Sequence, residues 1–152
     1  MPELIYEFEY RVALEVNDFG AGPAGHRIWF RGTSGEFSGD RLKGEVTPGG
    51  GDWLLAGADG FGRLDVRLQL RTHDGADIYV QYSGLVELSA KVMAWAGGQQ
   101  SGTDFGDEYF FANPRLETSD ERYAWVNQIL FIGQGRVVTP TTVEYKVYRL
   151  AN

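Results

Sequence analysis

The sequence predicts an all-β protein, a single antiparallel β-barrel of about eight to nine strands with a lipocalin-like or calycin-like cavity and one short helix. Three observations lead to this fold class. Apolar and polar residues alternate along residues 4–16 and again along residues 63–72. Turn dipeptides such as Asp59-Gly60 and Asp74-Gly75 separate the strand-like segments at short intervals. The 21 glycines suit a chain with many tight turns.

The chain length indicates how the domain is organised. A chain of 152 residues suits one domain with a substantial core, and no linker or internal repeat divides it. Residues 1–152 are therefore expected to form a single β-barrel domain. A barrel is favoured over a sandwich because long strands at the two ends of the chain can pair and close the sheet, which removes its edges.

Residues 4–16 give the clearest strand signal, because apolar residues occupy every second position and mostly charged residues lie between them. A strand with this period buries one face. The expected buried face contains Leu4, Tyr6, Phe8, Tyr10, Val12, Leu14 and Val16. Residues 17–25 read as a turn region, and Gly39 and Gly44 predict bends within a strand at residues 35–46.

The same signals define the remaining elements. Further strands are predicted at residues 27–31, 52–56, 63–72, 76–88, 108–117, 125–136 and 142–150. Residues 89–96 are the helix candidate, with Ser89 as the N-cap and Gly97-Gly98 as the stop. The polar loop at residues 99–106 is the best lid candidate, and Pro114 predicts an edge or bulge in its strand.

Composition excludes several classes of function. The formal net charge is −7 and the sequence pI is about 4.8, which argues against binding to nucleic acid or to an anionic membrane surface. The absence of cysteine excludes disulfides, thiolate metal sites and cysteine nucleophiles. The first residues lack the features of a signal peptide and no apolar run is long enough for a membrane helix, so a cytoplasmic protein is expected.

No cofactor or metal site is predicted. Residues 20–25 (GAGPAG) match the glycine pattern of a dinucleotide-binding turn, but no helix follows them, so a hairpin loop is expected. His26 and His73 lie far apart in the sequence, and the acidic residues Asp104, Asp107 and Glu108 match no calcium loop. A solvated acidic loop is the better interpretation.

Two runs point to a small-molecule site. Residues 46–53 (VTPGGGDW) place Asp52 beside Trp53, and residues 123–127 (YAWVN) place Trp125 near Asn127. Each run puts a polar group beside an indole where a strand meets a turn. Because a buried amide is costly unless it is hydrogen-bonded, Asn127 is expected to serve a site or to hold a loop.

Other candidates carry two interpretations each. Asp65 and Arg67 share a strand face, either as an exposed ion pair or inside the barrel, where the guanidinium would orient a substrate oxygen. Glu117 is either a capping group or a desolvated acid whose pKa is raised. Tyr109 and Phe111 share a face and form either a site wall or plain core.

These features together resemble the β-barrel family known as domain-of-unknown-function family 3237, which includes UPF0311-like proteins. The resemblance spans nearly the whole chain and is most specific in the two Trp-containing runs. It rests on residues 35–39 (GEFSG), 42–46 (LKGEV), 48–53 (PGGGDW), 59–60 (DG), 64–67 (LDVR), 74–75 (DG), 78–79 (IY), 109–111 (YFF), 114, 116–118 (LET), 123–127 (YAWVN), 133, 135–136 (GR) and 145–148 (YKVY).

The resemblance implies one antiparallel barrel with a central cavity, often in an oligomer (a dimer is favoured here), and no known cofactor. Some fungal relatives are linked to ring closure on aromatic polyketide-type substrates. Phe111 departs from the family, which commonly has a basic residue there, and Val126 stands where Leu is common. Residues 97–107 look variable within the family.

The leading hypothesis is a cofactor-independent cyclase, isomerase or lyase acting by general acid–base catalysis on a small aromatic or polyketide-like molecule in the barrel. Asp52 or Glu117 is expected to move the proton, and Arg67 and Tyr79 to stabilise a developing oxyanion. The ligand-binding residues are expected to be Trp53, Tyr109, Phe111, Tyr123, Trp125 and Asn127. The alternatives are a non-catalytic barrel that carries an apolar ligand and a scaffold whose aromatic surface mediates assembly.

Overall fold

The computed structural model describes the whole chain, residues 1–152, and confirms the predicted all-β barrel. Ten antiparallel strands form one sheet. They are β1 (Glu3–Gly22), β2 (Gly25–Gly39), β3 (Lys43–Val46), β4 (Gly51–Ala56), β5 (Phe61–Thr72), β6 (Asp77–Glu87), β7 (Phe110–Ala112), β8 (Arg115–Glu117), β9 (Phe131–Val138) and β10 (Thr142–Ala151). The helix α1 (Ala90–Ala96) follows β6, and a 3₁₀ helix (Glu121–Gln128) follows β8.

The sheet closes into a ring in the order β5-β4-β2-β1-β10-β9-β7-β6, because β6 pairs again with β5. The short strand β3 also bridges β2 and β5, beside β4, and β8 adds to β6. The first and last strands pair antiparallel, from Glu3 opposite Ala151 to Ala13 opposite Thr142. This pairing is the one expected from the two long terminal strands.

The alternation in β1 is interrupted by a bulge. The register shifts between Tyr6 and Phe8, so that Phe8 and Tyr10 are buried as expected while Tyr6 is 49% exposed. The prediction of one buried face from Leu4 to Val16 is therefore wrong at its ends, where both side chains lie outside. A bulge inserts an extra residue into one strand and changes which residues face inward.

The hairpin expected at residues 20–25 is present, but it is tighter than predicted. Strand β1 continues to Gly22 and β2 begins at Gly25, so that only Pro23 and Ala24 form the turn. The positive φ of Gly25 (138°) suits glycine, because side chains strain this region of backbone space.

Three other boundaries differ from the sequence prediction. The strands predicted at residues 27–31 and 35–46 are wrong in their bounds, because β2 runs without a break from Gly25 to Gly39 and a separate strand, β3, begins at Lys43. The predicted strand at residues 125–136 is wrong in its first part, where the 3₁₀ helix begins after Asp120, whose carboxylate accepts a hydrogen bond from the Arg122 N–H. The predicted strand at residues 108–117 is divided into β7 and β8 by Asn113-Pro114, because proline cannot donate to a sheet ladder. The predicted helix is confirmed, with the Ser89 hydroxyl accepting from the Val92 N–H. No helix is both long and apolar enough to cross a membrane.

The barrel interior has a filled part and a hollow part. Near the 3₁₀ helix the interior is filled by fully buried side chains such as Phe8, Phe131 and Val126. Toward α1 a cavity remains, and Val92 and Trp95 of that helix form part of its wall. Access to the interior is therefore expected at the α1 end of the barrel.

A cluster of ion pairs around the buried Glu7 side chain stabilises the filled end of the barrel. The β1 bulge turns the Glu7 carboxylate toward the interior. There it pairs with Arg41 and lies 3.3 Å from Nε of Arg149. The Arg41 guanidinium in turn stacks 3.7 Å from the ring centroid of Trp125. The Glu7 carboxylate thus ties the 3₁₀ helix to the barrel through one arginine.

We expect Glu7→Gln to lower the free energy of unfolding by about 2 kcal/mol, because two guanidinium groups lose the anion between them while remaining partly solvated. Urea unfolding at neutral pH measures this change. Glu36→Gln removes an exposed glutamate from the neighbouring strand and is the control, with stability within about 0.5 kcal/mol of the parent. Equal stability of the two variants would contradict the role given to Glu7.

Candidate functional site

The cavity lies between α1 and a group of tyrosines near the middle of the barrel, and its volume is about 60 Å³. Its wall is almost entirely apolar. Representative lining side chains are Val12, Phe30, Val66, Trp95 and Phe110. Asp52 is the only carboxylate that lines it, and Tyr82 and Tyr145 supply the only hydroxyl groups. A few polar groups in an apolar concavity are typical of a small-molecule site.

The barrel register places Asp52 inside. Asp52 on β4 lies opposite Phe30 on β2 and opposite Val66 on β5, and Val66 lies opposite Tyr82 on β6. Residues directly opposite on neighbouring strands project from the same face of a sheet. Asp52 and Tyr82 therefore belong to one inward-facing row, with Val66 between them.

Burial makes Asp52 a weak acid. The residue keeps some accessible surface because it borders the cavity, but protein encloses its carboxyl group. Desolvation is the main cause that raises its pKa to about 7, and the negative charge of Asp65 adds to it. The backbone N–H of Asp65, 2.9 Å from Oδ1, and the charge of Arg27 act in the opposite direction. Near neutral pH, Asp52 can therefore both accept and donate a proton.

Three tyrosines form a hydroxyl cluster beside this acid. The Tyr10 hydroxyl donates to the Tyr82 hydroxyl at 2.5 Å. The rings of Tyr10 and Tyr145 stack with centroids 5.0 Å apart, and Tyr82 meets Tyr145 edge to face. Stacking and hydrogen bonding together fix the positions of all three hydroxyl groups.

The Tyr82 hydroxyl is the donor of this cluster that remains available. Its oxygen accepts from the Tyr10 hydroxyl, which leaves its own proton free for a group in the cavity. Burial raises the pKa of Tyr10, Tyr82 and Tyr145 above the ordinary value, so each phenol keeps its proton at neutral pH. A neutral phenol held in place can donate a hydrogen bond to a developing oxyanion.

The structure separates Asp52 from the other proposed catalytic residues. Arg67, Tyr79 and Glu117 all lie on the outer face of the barrel, where the Arg67 guanidinium donates to the Tyr79 hydroxyl at 2.6 Å. The expectation that they project into the interior with Asp52 is wrong, because β5 turns its leucines and Val66 inward. Asp65 and Arg67 are therefore exposed on the outer face, which is the first of the two positions considered for them.

Three predicted ligand-binding aromatics also lie outside. Trp53 is 42% exposed and stacks on Trp29 with ring centroids 4.5 Å apart. Tyr109 is 54% exposed and packs edge to face on Phe111, which is half-buried on the outer side of β7. The expected aromatic wall is therefore wrong for these residues, since Trp53 directly follows the inward-facing Asp52 and must point outward.

The other three predicted ligand-binding residues brace the filled end of the barrel. The Tyr123 hydroxyl donates to Oδ1 of Asp74 at 2.7 Å. Trp125 packs on the core beneath Arg41. Asn127 accepts from the Thr118 N–H and donates to the Thr118 C=O, at 2.9 and 3.0 Å. Of the two roles considered for Asn127, the structure shows the one that holds a loop.

Sequence reasoning missed the tyrosine cluster. The signal was present, because Tyr82 continues the apolar face of its strand after Ile78 and Val80, and Tyr10 continues the alternation of β1. A phenol at such a position must find a buried partner. No three His, Asp or Glu side chains converge in a way that could hold a metal ion.

The fold and the site together define a class: a closed antiparallel barrel with an apolar cavity that contains one carboxylic acid and a cluster of phenols. The chain belongs to the family described as protein of unknown function DUF3237, whose model matches residues 2–150. This agrees with the resemblance seen in the two Trp-containing runs.

Bacterial relatives share the sequence pattern and the barrel. A UPF0311 protein of Rhodopseudomonas palustris is 34% identical over 103 residues, which cover 65% of this chain and 64% of that protein. The match thus spans slightly less than two thirds of the length of this curated relative. A crystal structure of a β-barrel-like protein from Acinetobacter baumannii is 30% identical, covers 99% of this chain and 97% of that one, and has a TM-score of 0.81.

Fungal proteins are more distant. PR-toxin biosynthesis cluster protein 7 of Penicillium roqueforti is 26% identical and covers 91% of this chain and 84% of that protein. The crystal structure of an enzyme from Penicillium herquei is 22% identical, covers 99% of this chain and 95% of that one, and has a TM-score of 0.66. This last similarity shows the fold alone.

Proposed function

We propose that this protein is a cofactor-independent enzyme that moves a proton next to a carbonyl, enol or phenol oxygen of a small apolar molecule held in the barrel. The observation that carries the proposal is Asp52, an acid with a pKa of about 7 at an apolar cavity that also holds the Tyr82 hydroxyl. A proton-transfer group is most effective when its pKa lies near the working pH. Cyclisation, isomerisation and lyase chemistry all fit this apparatus.

The first step follows from the positions of the two groups. The substrate carbonyl oxygen accepts a hydrogen bond from Tyr82, and the Asp52 carboxylate removes a proton from the adjacent carbon. The electron pair of that C–H bond moves to the oxygen, which becomes an enolate held by the phenol. Return of the proton at another atom completes an isomerisation. Loss of a leaving group from the enolate completes an elimination, and attack on an internal electrophile closes a ring.

Hydrogen–deuterium exchange tests this step without knowledge of the natural substrate. Phenylacetone has an activated methylene group next to its ketone, and exchange of these protons in D₂O is followed by proton NMR. We expect the protein to accelerate exchange, with a rate that rises with pH and levels off above an apparent pKa near 7. Exchange no faster than with an equal concentration of an unrelated protein would remove the proposal.

The role of the phenol makes a separate prediction. Tyr82→Phe is expected to lower the exchange rate by about 10–10² at saturating ketone, because the oxyanion loses its donor while Asp52 remains. The matched control is Tyr79→Phe on the outer face of the same strand, whose rate should stay within about twofold of the parent. A rate in Tyr82→Phe equal to that of the control would contradict oxyanion stabilisation by Tyr82.

A carrier function is the second candidate, and the nearly continuous apolar lining of the cavity favours it. A carrier needs the apolar walls but no proton transfer, so it would bind phenylacetone without accelerating exchange. The fungal relative named for a toxin biosynthesis cluster is compatible with both functions, since such clusters handle small organic molecules. Calorimetric binding measured beside the exchange assay separates the two.

A further inference from the structure

A second depression of about 480 Å³ lies outside the cavity, on the other side of a thin wall of side chains. Leu14 and Ile28 of the barrel and Met93 and Ala96 of α1 line both spaces. These four residues border both spaces, so the two volumes are adjacent. We call the outer space the vestibule.

The cavity can hold the reacting end of a ligand but cannot enclose an extended molecule. Sites that enclose small molecules measure about 300–1,000 Å³, whereas the cavity holds about 60 Å³. The cavity and the vestibule together reach that range. Access from the opposite end is blocked, because the 3₁₀ helix and the filled core lie there.

Met93 is the movable part of the wall. Its side chain is 45% exposed although it lines the cavity, and an unbranched thioether changes rotamer more readily than the other wall residues. The helix itself is anchored, because the Trp95 indole N–H donates to the Val138 C=O at 2.8 Å and Ser89 caps the first turn. Rotation of one side chain can therefore join the two spaces while α1 stays in place.

The vestibule has a chemical preference of its own. Its floor is apolar, with Val16 beside the shared residues, but Asp18 lines one side. The Asp18 carboxylate accepts from the Gly20 N–H at 2.7 Å and lies 2.5 Å from Nε2 of His26. The Gly20 backbone hydrogen bond, followed by that of His26, lowers the pKa of Asp18, so the group stays anionic. An anionic end of a ligand would be repelled here.

We infer that the vestibule is the outer half of the ligand site, and that the site takes an elongated, mainly apolar molecule with a carbonyl or enol oxygen at its buried end and an uncharged group at its outer end. The buried end lies at Asp52 and Tyr82, the middle passes between Met93 and the barrel wall, and the outer end rests near Val16 and Asp18. The inference rests on the proposed function for the role of the buried end.

Three ketones with one common head group test the inference by calorimetry at about pH 8. Phenylacetone is the short probe, (biphenyl-4-yl)acetone is the long probe, and the 4′-carboxylate of the long probe carries an anion at its outer end. We expect the long probe to bind at least about tenfold more tightly than the short one, because it buries a further ring. The carboxylate probe is expected to lose most of this gain in affinity.

Two variants locate the effect. Val16 lines the vestibule but not the cavity, so in Val16→Trp the long probe should lose about tenfold in affinity while phenylacetone binds within about twofold of its parent value. Leu130→Trp places the same ring on an exposed site near the other end and is its control. Asp18→Asn should restore binding of the carboxylate probe by about fivefold or more, and Glu36→Gln should not.

The outcomes separate this inference from the proposed function. If phenylacetone binds and exchanges but the long probe gains nothing, or if Val16→Trp leaves that gain intact, the vestibule is not a subsite and the cavity proposal stands. If phenylacetone neither binds nor exchanges, the cavity proposal falls and the vestibule inference falls with it. A carboxylate probe that binds as tightly as the neutral long probe overturns the charge preference.

Discussion

Replacing Asp52 with Asn is expected to lower the rate of ketone exchange by about 10²–10⁴, the range that a positioned general base contributes. Asn has nearly the same shape and can still accept the Asp65 N–H at the site of Oδ1, but it cannot take a proton. Proton NMR in D₂O at about pH 8 measures the change, because the parent carboxylate is mostly ionised above its pKa of about 7.

Binding of phenylacetone is the companion measurement for this variant. The affinity should change little, because the apolar wall and Tyr82 remain. Arg67→Met and Glu117→Gln are controls, since both residues lie on the outer face, and their exchange rates should match the parent. An unchanged rate in Asp52→Asn would contradict the role of general base given to Asp52.

The same substitution is expected to stabilise the protein at high pH. The pKa of Asp52 in the folded protein is about 7, above its value of about 3.9 in an unfolded chain. Below about pH 3 both states are protonated and the carboxyl group adds no pH dependence. As the pH rises toward 7, the unfolded chain loses the proton while the folded protein keeps it, so folding stability falls. Above about pH 7 the loss is complete.

The size of this effect follows from the two pKa values. Their difference corresponds to at most about 4 kcal/mol, at 1.36 kcal/mol per pH unit. Because Asn stays neutral, Asp52→Asn should be more stable than the parent by up to about 4 kcal/mol at pH 8 and about equally stable at pH 4. Urea unfolding across this pH range measures the difference, and identical pH profiles for the two proteins would show that Asp52 ionises normally.

Asp59→Asn provides a control of opposite sign. Asp59 is exposed, and its hydrogen bonds to Arg63 lower its pKa to about 2. Asp59→Asn should therefore be slightly less stable than the parent at neutral pH. This difference should vanish as the pH falls through the range in which the Asp59 carboxylate of the folded protein binds a proton. A gain at high pH that is specific to Asp52→Asn would mean that the protein keeps a destabilising acid, as expected of a group retained for chemistry.

Most of the architecture was predictable, because strand alternation reports burial on one face of a sheet. Strands β5 and β6, the helix after Ser89 and the pairing of the terminal strands all follow the sequence pattern. The errors occur where a single local feature overrides the pattern. The bulge after Tyr6 exchanged the exposed and buried residues at the start of β1, and the Asp120 cap started a 3₁₀ helix where a strand was expected.

The candidate site was predictable only in part. Asp52 was selected because it lies beside a tryptophan, but its importance comes from sharing an inward face with Leu54, where it is the one charged residue. The alternation of leucines with Asp65 and Arg67 left an outward and an inward guanidinium equally open, and the burial of the leucines inside the barrel decided for the outward one. Aromatic residues near turns predicted a site wall, whereas strand direction places Trp53 and Tyr109 outside.

The sequence by itself determined that the chain is a β-barrel of this family, which residues share a face along most of its strands, and that Asp52 lies beside an indole. Those properties depend on neighbours along the chain, so they can be read from its order. Only the tertiary structure decided that Tyr10, Tyr82 and Tyr145 meet beside Asp52, and that α1 leaves a vestibule outside the cavity. These arrangements depend on strand register and ring closure, which bring together residues from β1, β4, β6 and β10 that no local pattern connects.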